Sequence, residues 1–136
     1  LNYYYYSNNS AQRLATCCDA LVQTFTAVIE QIDHTIIEGR RSALVQNEHF
    51  RTGRSKVQWP NSPHNEAPSA AVDAAPYPID WKDTKRFYYF AGLVKGIGYR
   101  LGHRIRWGGD WDGDNDFQDQ TFNDLVHFEY VGPVTK

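Results

Sequence analysis

Apolar residues recur at steps of three and four through the first third of this chain, at Leu14, Cys17 or Cys18, Leu21, Val22, Phe25, Val28, Ile29 and Ile32. That spacing predicts one amphipathic helix from Ala11 to Gln31, with Ser10 as its N-cap. His34 to Glu38 is short, β-branched and followed by Gly39, which predicts a strand. Ser42 to Phe50 reads as a short helix that stops near Gly53. A second long helix is predicted from Thr84 to Leu101, with Phe87, Phe90, Leu93, Val94, Ile97 and Leu101 on one face. Gly92, Gly96 and Gly98 weaken it intrinsically and are expected to allow close packing on a sheet, while Gly102 suits its stop. Ala70 to Ala75 (ending at Pro76), Arg104 to Trp107 and Val126 to Val131 are the other predicted strands. Leu1 to Asn9 is rich in tyrosine and lacks a period; an edge strand or a packed arm fits it. The order shows no regular strand–helix–strand alternation and no repeat. It predicts an α+β domain with a small, mostly antiparallel sheet and flanking helices.

Two segments read as loops. Arg54 to Ser69 carries three prolines, three serines and two asparagines. It is long for so compact a domain, which favours a functional role. Gly108 to Asn123 is rich in glycine and aspartate. With 136 residues, 41% hydrophobic and 22% charged, the chain is expected to form a single domain, 1–136, with its own core. A net charge of -2 gives no reason to expect nucleic-acid binding, which favours a basic surface. No apolar run is long enough to span a membrane, and no secretory leader pattern is visible. Cys17 and Cys18 are adjacent, fall within the helical pattern and are expected to be free thiols, one buried and one nearer the surface.

The candidate chemistry lies in three separated places. His64 sits in the proline-rich loop, Asp73 in the small-residue run Ala70-Ala71-Val72-Asp73-Ala74-Ala75, and His127 at the start of the last strand. Two imidazoles and a carboxylate can hold one divalent metal and leave a position open for water, with Asp124 as a nearby base. Each residue also has a plainer reading. His64 could be a loop histidine, Asp73 a partner of Arg41, and His127 a core ring bonded to backbone. A carboxylate amid alanines and valine is the hardest to dismiss, because burying it unpaired costs several kcal/mol.

The strings Ser62-Pro63-His64, Ser69-Ala70-Ala71-Val72-Asp73 and Asp124-Leu125-Val126-His127-Phe128-Glu129 resemble the S-x-H, A-x-D and D/E-x-x-H signature of a zinc peptidase family. That family joins D-Ala-D-Ala carboxypeptidases with phage L-alanyl-D-glutamate endopeptidases. Glu38-Gly39-Arg40-Arg41, Gln46, Ser55-Lys56, Trp59-Pro60-Asn61-Ser62, Pro76-Tyr77-Pro78-Ile79-Asp80-Trp81 and Trp107-Gly108-Gly109-Asp110-Trp111 resemble its small phage-type branch. The resemblance implies a Hedgehog/DD-peptidase-like fold and a zinc site of His64, Asp73 and His127. It implies Asp124 as catalytic base and Arg41 as the oxyanion-stabilising residue, with Ser62 and Gln46 near the substrate or behind the ligands. Glu129 shares a strand side with His127 and is expected to hydrogen-bond it; the competing reading makes Glu129 the base. His34, His49 and His103 match no ligand motif.

What the resemblance implies is hydrolysis of the L-Ala-D-Glu bond of a peptidoglycan stem peptide. The alternatives are D-Ala-D-Ala carboxypeptidase activity and a silent wall-binding or virion module. A monomer is expected that binds no nucleic acid and inserts in no membrane. It would remain in the host cytoplasm until lysis, or travel with the virion, before acting on the cell wall. Asp110 to Asp116 also resembles a calcium loop, with Asp112, Asp114 and Asp116 as candidate ligands, though it lacks the EF-hand glycine and glutamate. The plainer reading is a solvated acidic loop.

Overall fold

The computed structural model describes residues 4–135. In chain order the elements are α1 (Asn8–Leu14), α2 (Asp19–Val28), β1 (His34–Glu38), α3 (Ala43–Arg51), a 3-10 turn (Pro63–Asn65), β2 (Ala71–Pro76), α4 (Thr84–Arg100), β3 (His103–Gly108) and β4 (Asp124–Pro133). The four strands form one antiparallel sheet in the order β1-β2-β4-β3. The α+β class and antiparallel sheet agree with the pattern in the sequence.

The predicted helix Ala11–Gln31 is two helices. Between them Cys18 N donates to the Ser69 carbonyl at 2.8 Å, and Ser69 N donates to the Thr16 carbonyl at 2.9 Å. This pairing pulls the backbone out of helical geometry at Cys17 and Cys18, so the cysteines lie at the break. Both are free thiols, Cys17 buried and Cys18 half-buried. The N-cap is Ser7, whose Oγ accepts from Ser10 N at 3.1 Å. Ser10 is buried within α1, where its Oγ accepts from Ile36 N at 3.1 Å and ties α1 to β1. Of the tyrosine-rich arm, Leu1 to Tyr3 lie outside the described residues, Asn8 and Asn9 belong to α1, and the Tyr6 hydroxyl donates to the Phe25 carbonyl at 2.7 Å.

The core fills one side of the sheet. Leu21, Phe25 and Val28 of α2 and Phe90 and Val94 of α4 meet Ile36, Val72, Ala74, Ile105, Trp107 and Phe128 of the strands. The Phe25 and Phe90 rings each lie 5.7 Å from Phe128, centroid to centroid. Strand alternation then turns Asp73, His127 and Glu129 to the opposite side.

Only one of the three α4 glycines makes a close approach. A Cβ on Gly98 would press on Ile105 Cγ1, whereas Gly92 and Gly96 face open space. Gly98→Ala is therefore expected to cost about 1–3 kcal/mol through overpacking. Gly92→Ala and Gly96→Ala should each add roughly 0.5–1 kcal/mol by removing chain entropy. Urea denaturation of the three variants checks this; equal effects at all three positions would contradict it.

Candidate active site

Each candidate ligand is held by a different piece of backbone. The 3-10 turn carries His64, with Ser62 Oγ accepting from His64 N at 3.2 Å and Asn65 Oδ1 accepting from Ser62 N at 3.0 Å. Asp73 and His127 are register partners across β2 and β4. His64 Nε2 lies 3.3 Å from Asp73 Oδ1 and 3.3 Å from His127 Nδ1, and His127 Nδ1 lies 3.4 Å from Asp73 Oδ1. Metal–ligand bonds of about 2.0–2.1 Å at tetrahedral angles give edges of about 3.3–3.4 Å, so this triangle has the dimensions of one face of such a site.

The outer hydrogen bonds leave the inner lone pairs free. His64 Nδ1 donates to the Gly39 carbonyl at 2.8 Å, and His127 Nε2 donates to Glu129 Oε1 at 2.8 Å. Each ring thereby presents its other nitrogen inward. Asp73 Oδ1 is buried and has no hydrogen-bond partner of its own. Three converging lone pairs in a buried place repel one another unless a cation or proton sits among them. The donor set thus fits a divalent metal.

Charge around the triad is arranged in fixed pairs. Arg41, buried, donates from Nε to Glu38 Oε1 at 2.6 Å and from Nη1 to Gln46 Oε1 at 2.9 Å, and Nη2 lies 3.5 Å from Asp73 Oδ2. Arg41 thus touches Asp73, as the plainer reading of that carboxylate required, and Asp73 faces both imidazoles as well. Gln46 Nε2 donates to Ser55 Oγ at 2.9 Å and to the Val57 carbonyl at 2.8 Å. Glu129 is gripped from its far side by Arg106 at 2.7 Å. Burial opposes ionisation of Asp73, but His64 and His127 overcome it and hold its carboxyl well below the usual range. Burial likewise opposes charge on His127, yet Asp73 and Glu129 outweigh it and push the ring up to about 9.

Asp124 opens β4 beside Gly108, where a Cβ would collide with the Asp124 carbonyl. Burial, reinforced by the charge of Asp73, raises its carboxyl above the ordinary value. It lines one cleft of about 420 Å³ together with Arg41, Ser62, His64, His127 and Glu129, and with Trp111 and Phe122 from the acidic loop. The calcium candidates divide. Asp110, Asp112 and Asp114 can bring oxygens together, as can Asp114, Asp116 and Asp119, but Asp112, Asp114 and Asp116 do not form one group. Asp110 is fully buried and its Oδ1 has no partner. Asn65 and Arg106 received no site role from sequence, and Glu38, Gly39 and Asp110 entered only within longer strings, without a role of their own. The i,i+3 spacings Glu38–Arg41 and Ser62–Asn65 were the available signals for two of them.

A buried two-histidine, one-carboxylate triad, open to a cleft that holds a further carboxylate, has the arrangement of a metallopeptidase centre. The chain belongs to the phage L-alanyl-D-glutamate peptidase family, whose model matches residues 3–131. It is 29% identical over 120 residues to the L-alanyl-D-glutamate peptidase of Escherichia phage T5, covering 85% of this chain and 87% of that protein. The crystal structure of Serratia marcescens L-Ala D-Glu endopeptidase ChiX shares the fold with a TM-score of 0.76 at 24% identity, covering 93% of this chain and 89% of that one.

The His127 ring binds a proton where a metal would bind. Below about pH 9 that proton must leave, so metal affinity is expected to fall about tenfold per pH unit on acidification. Roughly one proton should be released per metal bound near neutral pH. Calorimetric titration of zinc in buffers of different ionisation enthalpy measures it, and an affinity that does not change between about pH 7 and 8 would contradict the raised proton affinity of His127.

Proposed function

We propose that this chain is a zinc-dependent peptidoglycan peptidase, a single catalytic domain that acts as a monomer and hydrolyses the L-Ala-D-Glu bond of the stem peptide. The observation that carries the reading is the triangle of His64 Nε2, Asp73 Oδ1 and His127 Nδ1, with Asp124 in the same cleft. Zinc at those three atoms would supply a water acidic near pH 7 and polarise the scissile carbonyl.

The remaining work falls to side chains. Asp124 accepts the proton of the attacking water on its carboxylate and returns it to the departing amine. Its raised proton affinity suits both halves of that exchange. Arg41, immobilised by Glu38 and Gln46, presents fixed positive charge to the oxygen that becomes anionic. Glu129 keeps His127 in the ligating tautomer, and Ser62 holds the turn that carries His64. Membership of the family supports a substrate in the bacterial cell wall. No helix among the described residues is long and apolar enough to cross a membrane, and the protein would reach the wall at lysis or with the virion.

Calcium is the second cation in this reading, bound at Asp110, Asp112 and Asp114. The orphaned, buried Asp110 Oδ1 supports it, because an acidic loop alone would leave its carboxylates in water. Calcium should therefore change Trp111 fluorescence and raise turnover, and Asp110→Asn should abolish both responses. A silent titration of the native protein would remove the calcium site.

Purified protein on peptidoglycan should release fragments with a new N-terminal D-glutamate, read by mass spectrometry. Free D-alanine would instead identify a carboxypeptidase, and no product from zinc-loaded protein a silent module. Asp124→Asn is expected to lose about 10²- to 10⁴-fold in kcat while retaining one zinc per chain. Full activity in that variant would reassign the base.

A further inference from the structure

The cleft carries positive charge that the reaction scheme leaves unused. Arg54 and Lys56 line one wall, and Trp111 and Phe122 line the facing one. Gln46, fully buried in α3, fixes the first wall by holding Ser55 Oγ and the Val57 carbonyl on either side of Lys56. The Lys56 ammonium lies 5.0 Å from the centre of the Phe122 ring. Phe122 in turn stacks on Trp111 at 6.3 Å, and Trp111 lies 5.2 Å from His127, centroid to centroid. One aromatic surface therefore runs from a ligand of the metal triad to an ammonium group. Among the described residues, neither Lys56 nor Arg54 has a carboxylate within ion-pair distance.

The proposed substrate supplies a matching charge. Where the stem peptide continues through the glutamate side chain, the α-carboxylate stays free on the carbon that bears the scissile nitrogen. Amidation of that group keeps its shape and removes its charge. A lysine ammonium is a compact point charge suited to a single carboxylate, and the aromatic face beneath it excludes water from one side.

We propose that Lys56, assisted by Arg54, is a specificity-determining carboxylate subsite, selecting stem peptides whose D-glutamate α-carboxylate is free over those in which it is amidated. The proposal rests on the endopeptidase reading above and adds the residue that discriminates between two substrates of that reaction.

The test compares kcat/KM for two synthetic stem peptides, one with the free α-carboxylate and one with the carboxamide, using zinc-loaded protein. The readout is the ratio within each variant, so a general loss of folded protein or of catalysis cancels. The native protein should prefer the carboxylate at least about tenfold, as expected for a charge-assisted hydrogen bond. Lys56→Gln should bring the ratio close to one, Arg54→Gln should lower it less, and Lys56→Arg should restore most of it. Equal cleavage of both peptides by the native protein overturns the subsite and leaves the endopeptidase reading standing. So does a Lys56→Gln variant that keeps the native ratio. Failure to cut either peptide at L-Ala-D-Glu overturns both.

Discussion

The register of β2 against β4 is the constraint on which the site depends. Asp73 stands opposite His127, and Val72 opposite Phe128. Side chains alternate along a strand, so the same register that meshes Val72, Ala74 and Phe128 with α2 and α4 sets Asp73 and His127 side by side on the other face. A slip of one residue would drive Asp73 into the Phe25–Phe90–Phe128 cluster and expose Val72. Burying an unpaired carboxylate there costs several kcal/mol. The apolar core therefore holds two of the three candidate ligand side chains in place without touching them. Only His64 comes from outside the sheet, and the Gly39 carbonyl at the end of β1 anchors it.

Around that register the charges divide into engaged and free groups. Glu38 and Asp73 share Arg41, and Glu129 is shared by Arg106 and His127. Among the described residues Asp124 has no cation within ion-pair distance. The two candidate bases, Asp124 and Glu129, therefore differ in their surroundings. A carboxylate gripped by a guanidinium and an imidazole is a poor proton acceptor, because both partners stabilise its ionised form. Asp124 is the carboxylate whose environment raises its proton affinity.

Legibility from sequence followed the range of the interactions involved. β1 and α4 were readable because their signals are local: a β-branched run, and an apolar stripe closed by Gly102. The break between α1 and α2 was not, because the three- and four-residue apolar spacing runs on across it and the interruption comes from pairing with distant Ser69. The three residues that the structure brings together, His64, Asp73 and His127, were legible as residue types in strings that resemble a family. Their tautomer control was only half legible. Glu129 could be placed by strand spacing, but the Gly39 acceptor is a backbone carbonyl, and no side-chain pattern marks one. Arg106 acquires its role only once β3 is set beside β4. Asp110 belongs to the same alternating run as Asp112, Asp114 and Asp116, and only its burial, which that run does not encode, sets it apart from them.

Trp111 joins the acidic loop to the candidate metal triad. It follows Asp110 directly, its backbone nitrogen donates to Gln120 Oε1 at 3.0 Å, and its indole donates to the Phe122 carbonyl at 2.6 Å. Its ring lies against both His127 and Phe122. The two walls of the cleft are consequently secured to different degrees. The Ser55–Val57 wall is pinned by Gln46, a fully buried amide in a helix, and moving it would leave the buried Gln46 Nε2 without its two acceptors. The Trp111–Phe122 wall rests on short-range bonds within a glycine- and aspartate-rich loop, whose exposed backbone is the cheaper element to displace. An extended polymer entering the cleft thus meets a fixed wall bearing the cations and a compliant wall bearing the aromatics. Accommodation falls to the aromatic side, and charge selection to the rigid side.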